Sequence, residues 1–424
     1  MKNLFFALLL LPNVLFAQTN DFIVDAVVNP KKQEKIITVG GANANIPGYT
    51  SEAIQMAVDA LPDEGGTVKM NPGHFEISAP VRIPSNSKFI GSGPETILRR
   101  IDGFHSKFII DADYGELKIT VEDVSGFAVG MSIVVSDDYN SGCIDVTTGV
   151  ITDIDDNVLY IDTYLIRDYS APGNGRVSNA GSCIAVTEAH NVYMSDFKIE
   201  GNKEKNDWLA GCYAGGICII KSKNVTVENV QVEDFNGEGI TWQITENITV
   251  RNCEINGCYN GLHPGTGSVN SLIEGNNSHH NDGDGLFVCY RVQHGLVKNN
   301  SLHHNRLNGI STGHKDSDMR FENNHIFENS SNGVFFRDED QNNSPHRNTF
   351  INNLVENNGN KDGGYGFLFN GKAMDVLLKD NIIRDNGKGM QRAAIFINKN
   401  TPPVKMENNN MSGHANGNVV YGKE

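Results

Sequence analysis

The sequence predicts an all-β solenoid, a parallel β-helix in which short strands wind around one shared core. Three observations lead to this fold class: a repeat of roughly two dozen residues, β-type runs of only three to five residues, and turns rich in asparagine and glycine. These runs lack the 3.6-residue periodicity of an amphipathic helix. One repeat of this kind cannot bury its apolar face alone, so successive repeats must stack.

The repeat is clearest from about residue 224 onwards. Each unit has an apolar anchor before an Asn-rich turn, and the spacings between anchors are 23, 23, 24, 24, 29 and 28 residues. The anchors are Val227, Val250, Ile273, Val297, Phe321, Phe350 and Leu378. A second landmark is a glycine followed by an apolar residue, at Gly239-Ile240, Gly261-Leu262, Gly285-Leu286, Gly309-Ile310, Gly333-Val334 and Gly366-Phe367. Asparagine at a recurring turn tolerates left-handed backbone and can bond to the same side chain one rung away.

The first half of the chain fits the same architecture less regularly. The segment TSEAIQMAVDAL, residues 50–61, combines a capping hydroxyl with apolar residues at helical spacing and predicts a short helix. Longer strands over about 112–170 predict an inserted β-rich region. We expect one domain over 36–400 and a polar C-terminal tail over 401–424.

The segments AIQMAVDAL, GGTVKMNPGHFEI and FIGSGPETIL resemble the N-terminal cap helix and first rungs of the pectate-lyase superfamily. The resemblance covers roughly residues 36–100 and 180–400. It implies a right-handed parallel β-helix. The superfamily contains lyases, hydrolases and non-enzymatic tail proteins, so the resemblance implies a fold more specifically than a reaction.

The N-terminus has the features of an export signal. Lys2 precedes an apolar run from Leu4 to Leu11, and Ala17 stands before polar residues. The run is too short for a membrane span, and no cysteine lies near the expected cleavage point to carry a lipid anchor. A signal peptide over 1–17 and a secreted or periplasmic protein are therefore expected.

Charge and cysteine content narrow the partners. A net charge of -16 argues against nucleic acid, because binding phosphates needs a broad basic face. The seven cysteines are Cys143, Cys183, Cys212, Cys218, Cys253, Cys258 and Cys289. Their spacing allows a Cys212–Cys218 or a Cys253–Cys258 bridge, and buried free thiols are the expected alternative.

Strand parity brings several cations to one face. Counted from each landmark glycine, the first residue should face the core and the second, fourth and sixth should face outward. The outward set includes Gln243, His263, Arg291, Lys315 and Arg337, with Gly265, Gly267 and Gly313 leaving the floor clear. Like charges on adjacent rungs repel, so this patch predicts an anionic ligand. An internal ion network with Asp284, Asp316, Asp338 and Glu339 is the structural alternative.

The resemblance and the patch together suggest β-elimination at a uronic acid of a poly- or oligosaccharide. Arg291 and Arg337 would hold the carboxylate, since a guanidinium binds carboxylates bidentately. Lys315 would be the base, and His263 or His314 the acid, or with the roles exchanged. Tyr290, Gln243 and Asp316 would orient the sugar. The leaving group could be a sugar, as in a polysaccharide lyase, or water, as in a dehydratase.

Other readings stay open at this point. An inverting glycoside hydrolase would need two carboxyl groups about 6.5–9.5 Å apart, for which Asp284 and Asp316 are candidates. A non-catalytic glycan-binding β-helix is the third reading. Asp282 and Asp284 in NDGDG could bind Ca²⁺, although turn chemistry explains that motif equally well. The histidines of the two HH pairs (His279-His280 and His303-His304) and His294 are expected on surface turns.

Overall fold

The computed structural model describes residues 35–142, 144–209, 211, 212 and 214–422. The predicted signal peptide and Cys143 lie outside the described residues. Three long parallel sheets, named A, B and C here, contain 12, 11 and 11 strands. Together they enclose one continuous apolar core. Each rung passes from sheet A to sheet B to sheet C, which confirms the predicted parallel β-helix.

The strands are short, most of them three to six residues. Sheet A contains Ile36–Val39, Gly66–Met70, Ser87–Ile90, His190–Ser195, Lys223–Glu228, Glu246–Arg251, Leu272–Glu274, Leu296–Lys298, Arg320–Glu322, Thr349–Ile351, Leu377–Lys379 and Lys405–Glu407. Sheet B contains Gly73–Ile77, Thr96–Arg100, Lys198–Glu200, Gln231–Glu233, Glu254–Asn256, Asn277–His279, Ser301–His303, His325–Phe327, Leu354–Glu356, Ile382–Arg384 and Asn410–Ser412. Sheet C contains Val81–Arg82, Ile184–Thr187, Gly215–Ile220, Glu238–Gln243, Leu262–Gly265, Leu286–Phe287, Ile310–Thr312, Val334–Phe336, Gly364–Phe369, Gln391–Ile397 and Val419–Tyr421.

Both sequence landmarks lie in the core, in register. The seven anchors pair with one another along sheet A, from Val227 opposite Val250 to Phe350 opposite Leu378, and each is at most 1% exposed. The apolar residues after the landmark glycines pair along sheet C and are fully buried. The repeat and its phase were therefore predicted correctly.

Two asparagine ladders run inside the solenoid. In each, the side-chain amide donates to the amide oxygen of the asparagine one rung on, at 2.9–3.0 Å. One ladder is Asn276, Asn300, Asn324, Asn353 and Asn381, and the other is Asn281, Asn305, Asn329 and Asn358. Because a buried amide without partners is costly, these ladders fix how each rung sits on the next.

The predicted cap helix is present as Ser51–Asp59. The Thr50 side chain accepts a hydrogen bond from the Ala53 backbone N–H, the usual N-cap arrangement. The helix buries Ile54 and Ala57 against the first rungs. No helix in the described ranges is long and apolar enough to cross a membrane.

The inserted region is a separate antiparallel sheet with its own core. In order of pairing, its strands are His105–Lys107, Arg176–Ser178, Ser132–Ser136, Thr147–Asp155, Val158–Ile161 and Lys118–Thr120. The predicted limits of 112–170 were too narrow, because the first and last strands along the chain, His105–Lys107 and Arg176–Ser178, lie outside them and pair with each other.

Two further expectations need correction. The segment after residue 400 is not a tail: Lys405–Glu407, Asn410–Ser412 and Val419–Tyr421 add one more strand to each sheet, and Met406 and Val419 pack against the core. The cysteine spacing also misleads. Cys218, Cys253 and Cys258 are buried free thiols, so neither of the bridges it allows is formed.

Candidate active site

The connections between strands single out one face of the solenoid. From His190 to Ser412, every connection from sheet A to sheet B is two residues long. The long excursions lie elsewhere. The inserted sheet and residues 201–214 and 357–363 connect sheet B to sheet C, and residues 337–348 connect sheet C to sheet A. All of them therefore border sheet C, and loops bordering one face of a rigid scaffold are where sites are commonly built.

The outward column of sheet C follows the predicted parity at its second and fourth positions. Thr241 pairs with His263, and further along Phe287 pairs with Ser311 and Ser311 with Phe335. At the fourth position Gln243 lies opposite Gly265, and Gly265 opposite Cys289. The second and fourth residues thus share the face turned away from the core, although Thr241, Gln243 and His263 are at most 3% exposed there.

The predicted alternation of core-facing and outward residues fails at the sixth position after the landmark glycine. The strands Leu286–Phe287 and Ile310–Thr312 end before it, and Arg291 and Lys315 have left-handed backbone at φ +66° and +59°. Alternation holds only along an extended strand. Arg291 and Lys315 therefore stand on turns at the border with sheet A, not on the strand face itself.

A buried ion pair lies at the other border of the face. His263 Nδ1 is 3.5 Å from Glu238 Oε1, and both side chains are 4% exposed. Asn260 Nδ2 donates to the same oxygen at 3.0 Å. Burial alone would lower the pKa of His263, but the charge of Glu238 and the nearby Cys289 outweigh burial and raise it to about 9. His263 is thus held as an imidazolium at neutral pH.

This pair leaves polar atoms without protein partners. Within the described residues, Glu238 Oε2 and Gln243 Oε1 are buried and accept no hydrogen bond. Buried acceptors of this kind cost free energy unless a ligand or water supplies donors. Glu238 was missed in the sequence because it precedes the landmark glycine, where the parity count does not reach.

Arg337 crosses the floor of the face. Its guanidinium lies 4.8 Å from the Phe287 ring centroid, and the same ring packs edge-on against His263 at 5.0 Å. It donates to Ser311 Oγ at 2.9 Å and to the Val288 carbonyl at 2.9 Å. Arg337 and Phe287 therefore link His263 to the rungs beyond it.

The floor glycines make room for side chains and do not leave a gap. A Cβ on Gly313 would lie 2.3 Å from Arg337 Nε, and one on Gly265 would lie 2.3 Å from Gln243 Oε1. A Cβ on Gly267 would have open space around it. The predicted clear floor is thus correct at Gly267 and wrong at the other two glycines, because neighbouring rungs reach over them.

Asp316 is part of the scaffold under Arg337. Its carboxylate is fully buried and accepts from Arg337 Nη2 at 3.2 Å and from the backbone N–H groups of Gly313 and Val292. Burial raises the pKa of Asp316 to about 6, against the lowering effect of Arg337. The role predicted for Asp316, orienting the sugar, therefore does not fit, since it is enclosed by protein donors.

Asp284 belongs to a polar ladder at the start of sheet C. It accepts from the backbone and side-chain amides of Asn308, and burial raises its pKa to about 6. Asp316 lies beyond the other end of the strand. Asp284 and Asp316 are both enclosed by protein donors, so neither is free to act as the acid or the base of an inverting hydrolase.

The border with sheet A carries a second cluster. Tyr290 stacks on His314 with ring centroids 4.2 Å apart, and the Arg291 guanidinium lies 4.9 Å from the Tyr290 centroid. His314 Nδ1 is 3.5 Å from Glu339. Within the described part of the chain, neither Arg291 nor Lys315 has a carboxylate within 4.0 Å. These two cations are the part of the predicted patch that is free to meet an anion.

The calcium candidates are engaged elsewhere. Asp282 pairs with Lys203, and Asp284 lies in its ladder with Asn308. Across the described residues, no group of three or more His, Cys, Asp or Glu side chains is arranged to hold a metal ion. The NDGDG motif therefore serves the turn between sheets B and C.

The paired histidines lie on a different face. His279 and His303 end strands of sheet B and stack at 4.9 Å, and His280 and His304 follow them with left-handed backbone. His279 contacts Glu254 at 2.9 Å, and His304 contacts Glu328 at 2.7 Å. They are surface residues as predicted, although two of the four belong to strands.

Comparison with protein-family models gives two matches. Residues 41–263 match a model described as rhamnogalacturonase A/epimerase, pectate lyase-like, and residues 182–350 match a right-handed β-helix region. Together they span the inserted sheet and most of the regular rungs. No curated protein is similar enough in sequence to count as a match.

Solved structures share the architecture at low identity. The A-modules of the Azotobacter vinelandii mannuronan C-5 epimerases AlgE4 and AlgE6 are 16% and 15% identical, with TM-scores of 0.55 and 0.52. Each alignment covers 88% of this chain, and 94% and 95% of the respective module. PfbA, a surface adhesin of Streptococcus pneumoniae, is 13% identical with a TM-score of 0.51 over 87% of both chains. At such identities the likeness establishes the right-handed fold alone.

Proposed function

The chain belongs to the rhamnogalacturonase A/epimerase, pectate lyase-like family, and from that premise we propose that it is a carbohydrate-active enzyme. The proposed reaction is β-elimination at a uronic acid of an acidic poly- or oligosaccharide. The fold alone does not select this reaction, because one architecture hosts many chemistries. The proposal rests on the groups that face sheet C.

One observation carries the proposal. A buried imidazolium paired with Glu238 stands at one border of the face, and two cations without carboxylate partners, Arg291 and Lys315, stand at the other. Elimination next to a carboxylate needs a cation for that carboxylate, a base for the C5 proton and an acid for the leaving oxygen. The face supplies one candidate for each.

The proposed role of each group follows from the protein contacts that its charged end already makes. Arg291 is exposed and lies over the Tyr290 ring, and in the described chain no carboxylate is within 4.0 Å of its guanidinium, so it can take the carboxylate of the sugar. Arg337 is the weaker candidate for that role, because it already donates to Ser311, Val288 and Asp316. Arg337 instead fixes the floor on which the sugar would lie.

The proton transfers are assigned to Lys315 and His263. The free amine of Lys315 accepts the proton from C5, and the electrons of that C–H bond form the C4–C5 double bond. The oxygen on C4 leaves with its bonding electrons and takes a proton from the His263 imidazolium. Glu238 holds His263 in the charged form that this step requires. His314 stacks on Tyr290 and contacts Glu339, which suits it to positioning the sugar.

The test is incubation of the protein with oligomannuronate and oligogalacturonate, following the ultraviolet absorbance of a conjugated unsaturated uronate. A rise in absorbance is expected. Shorter products would identify a lyase, and products of unchanged length a dehydratase. New reducing ends without absorbance would replace elimination with hydrolysis.

Epimerisation at C5 is the second candidate, favoured by the family description and sharing the first proton transfer. In that reaction C5 is reprotonated and no bond to C4 breaks. Incubation in deuterated water separates the two reactions. Deuterium at C5 in chains of unchanged length, without absorbance, would identify an epimerase.

We also propose that the protein is exported. The predicted signal at residues 1–17 supports this, and N-terminal sequencing of the protein from its native host tests it. A mature chain that begins near residue 18 is expected, whereas a retained Met1 would contradict export by this signal.

A further inference from the structure

An exposed aromatic pair stands beside the candidate active site. Trp208 is 48% exposed and Tyr259 is 39% exposed, and their rings meet edge to face with centroids 6.2 Å apart. The large aromatic side chains of the solenoid interior are, in contrast, fully buried. Because the two rings are in contact, they present one joint apolar surface to solvent at this corner.

Both rings sit on well-anchored backbone. Next to Trp208, Leu209 is 3% exposed and its N–H donates to the Asn236 carbonyl at 2.8 Å. Asn236 Nδ2 donates back to the Asn206 carbonyl at 2.8 Å. The Tyr259 N–H donates to the Gly237 carbonyl at 2.7 Å. The pair is thus a fixed platform at the turn between sheets B and C.

The platform is joined to the buried ion pair through Glu238. Gly211, on the Trp208 segment, packs so close that a Cβ there would lie 2.1 Å from Glu238 Oε1, and its carbonyl accepts from Thr241 Oγ1 at 3.3 Å. On the other side, Asn260 follows Tyr259 directly and donates to the same Glu238 oxygen. The two rings therefore stand on segments that contact Glu238, the partner of His263.

The chemistry of the platform suits the face of a sugar ring. A pyranose presents C–H groups on its faces and hydroxyls on its rim, which match an aromatic face with a polar handle at the indole N–H or phenol O–H. Burial, Glu238, Asp284 and Asp282 all raise the pKa of Tyr259, so the phenol stays protonated and can donate.

We propose that Trp208 and Tyr259 form a stacking subsite for the sugar unit next to the one that meets His263. This inference rests on the proposed function and deepens it, since it makes the substrate a chain of at least two sugars. Arg291 would hold the carboxylate of the reacting uronate at one border of sheet C, beside the proposed base Lys315. The aromatic pair would hold its neighbour at the other border, so the glycan would cross the sheet.

The two tryptophans of the chain allow a direct test. Trp242 is fully buried and donates its indole N–H to Ser271 Oγ at 2.9 Å. A sugar at the platform should therefore change the fluorescence of Trp208 only. Titration of the wild type with oligomannuronate and oligogalacturonate of increasing length should give a saturable change, which should vanish in Trp208→Phe because Trp242 alone remains.

Affinity gives a second readout, measured by calorimetry on the full-length protein. Trp208→Ala should bind the longer chains about tenfold more weakly, as expected for losing one aromatic contact. Trp208→Phe should retain most of the affinity. Tyr114→Ala, which removes a 72% exposed ring on the inserted sheet, is the matched control and should bind like the wild type.

The outcomes separate this inference from the proposed reaction. Binding with a Trp208 response but no elimination product would overturn the reaction and keep the subsite. Elimination with wild-type affinity and KM in Trp208→Ala would overturn the subsite and keep the reaction. Unchanged Trp242 emission in Trp208→Ala shows that the variant is folded, so a loss of affinity in it supports the subsite.

Discussion

The outward faces of sheets A and C both carry charged residues, but they use them differently. On sheet A, Glu228, Arg251, Glu274, Lys298 and Glu322 stand opposite one another in successive strands, so that signs alternate along the column. Arg251 contacts Glu228 at 2.9 Å, and Lys298 contacts Glu274 at 2.9 Å. Each of these cations has a carboxylate beside it and remains partly solvated.

On sheet C the charges are either buried or unmatched. His263 and Glu238 are enclosed with one carboxylate oxygen unused, while Arg291 and Lys315 stand on turns without a carboxylate nearby in the described chain. A row of charges on a solenoid is thus not by itself a sign of function. The informative sign is a charged or polar group whose partner the protein does not supply.

The largest effect that would test this contrast is on turnover. His263→Gln should lower the elimination rate by about 10²–10⁴-fold, the usual contribution of a general acid, and Lys315→Ala should lower it by a similar factor. Arg251→Gln on sheet A should leave it unchanged. Rates are compared from initial ultraviolet absorbance at saturating substrate.

Each variant tests a separate assignment. A near wild-type rate in Lys315→Ala would remove it as the base and leave His263 untouched. Loss of turnover in Arg251→Gln would mean that the sheet A face takes part, and the contrast between the two faces would fail.

The next effect is on stability. Arg337→Ala should cost about 3–5 kcal/mol at pH 8, because it leaves the Asp316 carboxylate buried without its cation. Arg251→Ala should cost at most about 1 kcal/mol, since its pair with Glu228 is partly solvated. Both are measured by urea unfolding, and equal costs would show that the two faces do not differ.

The smallest effect is the pH dependence of stability. The pKa of His263 is raised to about 9, so its stabilisation is complete below the ordinary value near 6.5 and fades as pH rises through 9. Relative to His263→Gln, the wild type should lose about 1–3 kcal/mol of unfolding free energy over that range.

The comparison with the variant matters because buried thiols contribute as well. Burial raises the pKa of Cys183, Cys218, Cys253 and Cys258 to about 12, so alkaline pH also favours the unfolded chain through them. That background is common to both proteins and cancels. Parallel pH curves for wild type and His263→Gln would show that His263 is not held charged.

The sequence predicted the solenoid well because stacking repeats the same physical requirement in every rung. Val227, Phe321 and Leu378 had to be apolar at a fixed phase, and Asn300 and Asn324 had to meet one rung apart. Because the same apolar and asparagine positions recur in every rung, a single sequence is enough to predict the repeat. The limits of the inserted sheet were harder to predict, because its first and last strands along the chain pair with each other across some 70 residues.

Only part of the candidate site could be predicted from the sequence. Strand parity put His263 and Gln243 on the correct face, since both lie within continuous strands, but it did not predict that both are buried there. It failed for Arg291 and Lys315, where the strands stop early and the backbone turns left-handed. It could not find Glu238, which precedes the landmark glycine, or Trp208, which lies in a connection of irregular length.

The unequal corners of the solenoid have an evolutionary consequence. Since each rung contacts only its neighbours, a connection that borders sheet C can lengthen without shifting the register of any strand, whereas the two-residue corner between sheets A and B cannot. Packing therefore holds the strands and the corner between sheets A and B constant during evolution, whereas the connections that border sheet C are free to change in length and sequence.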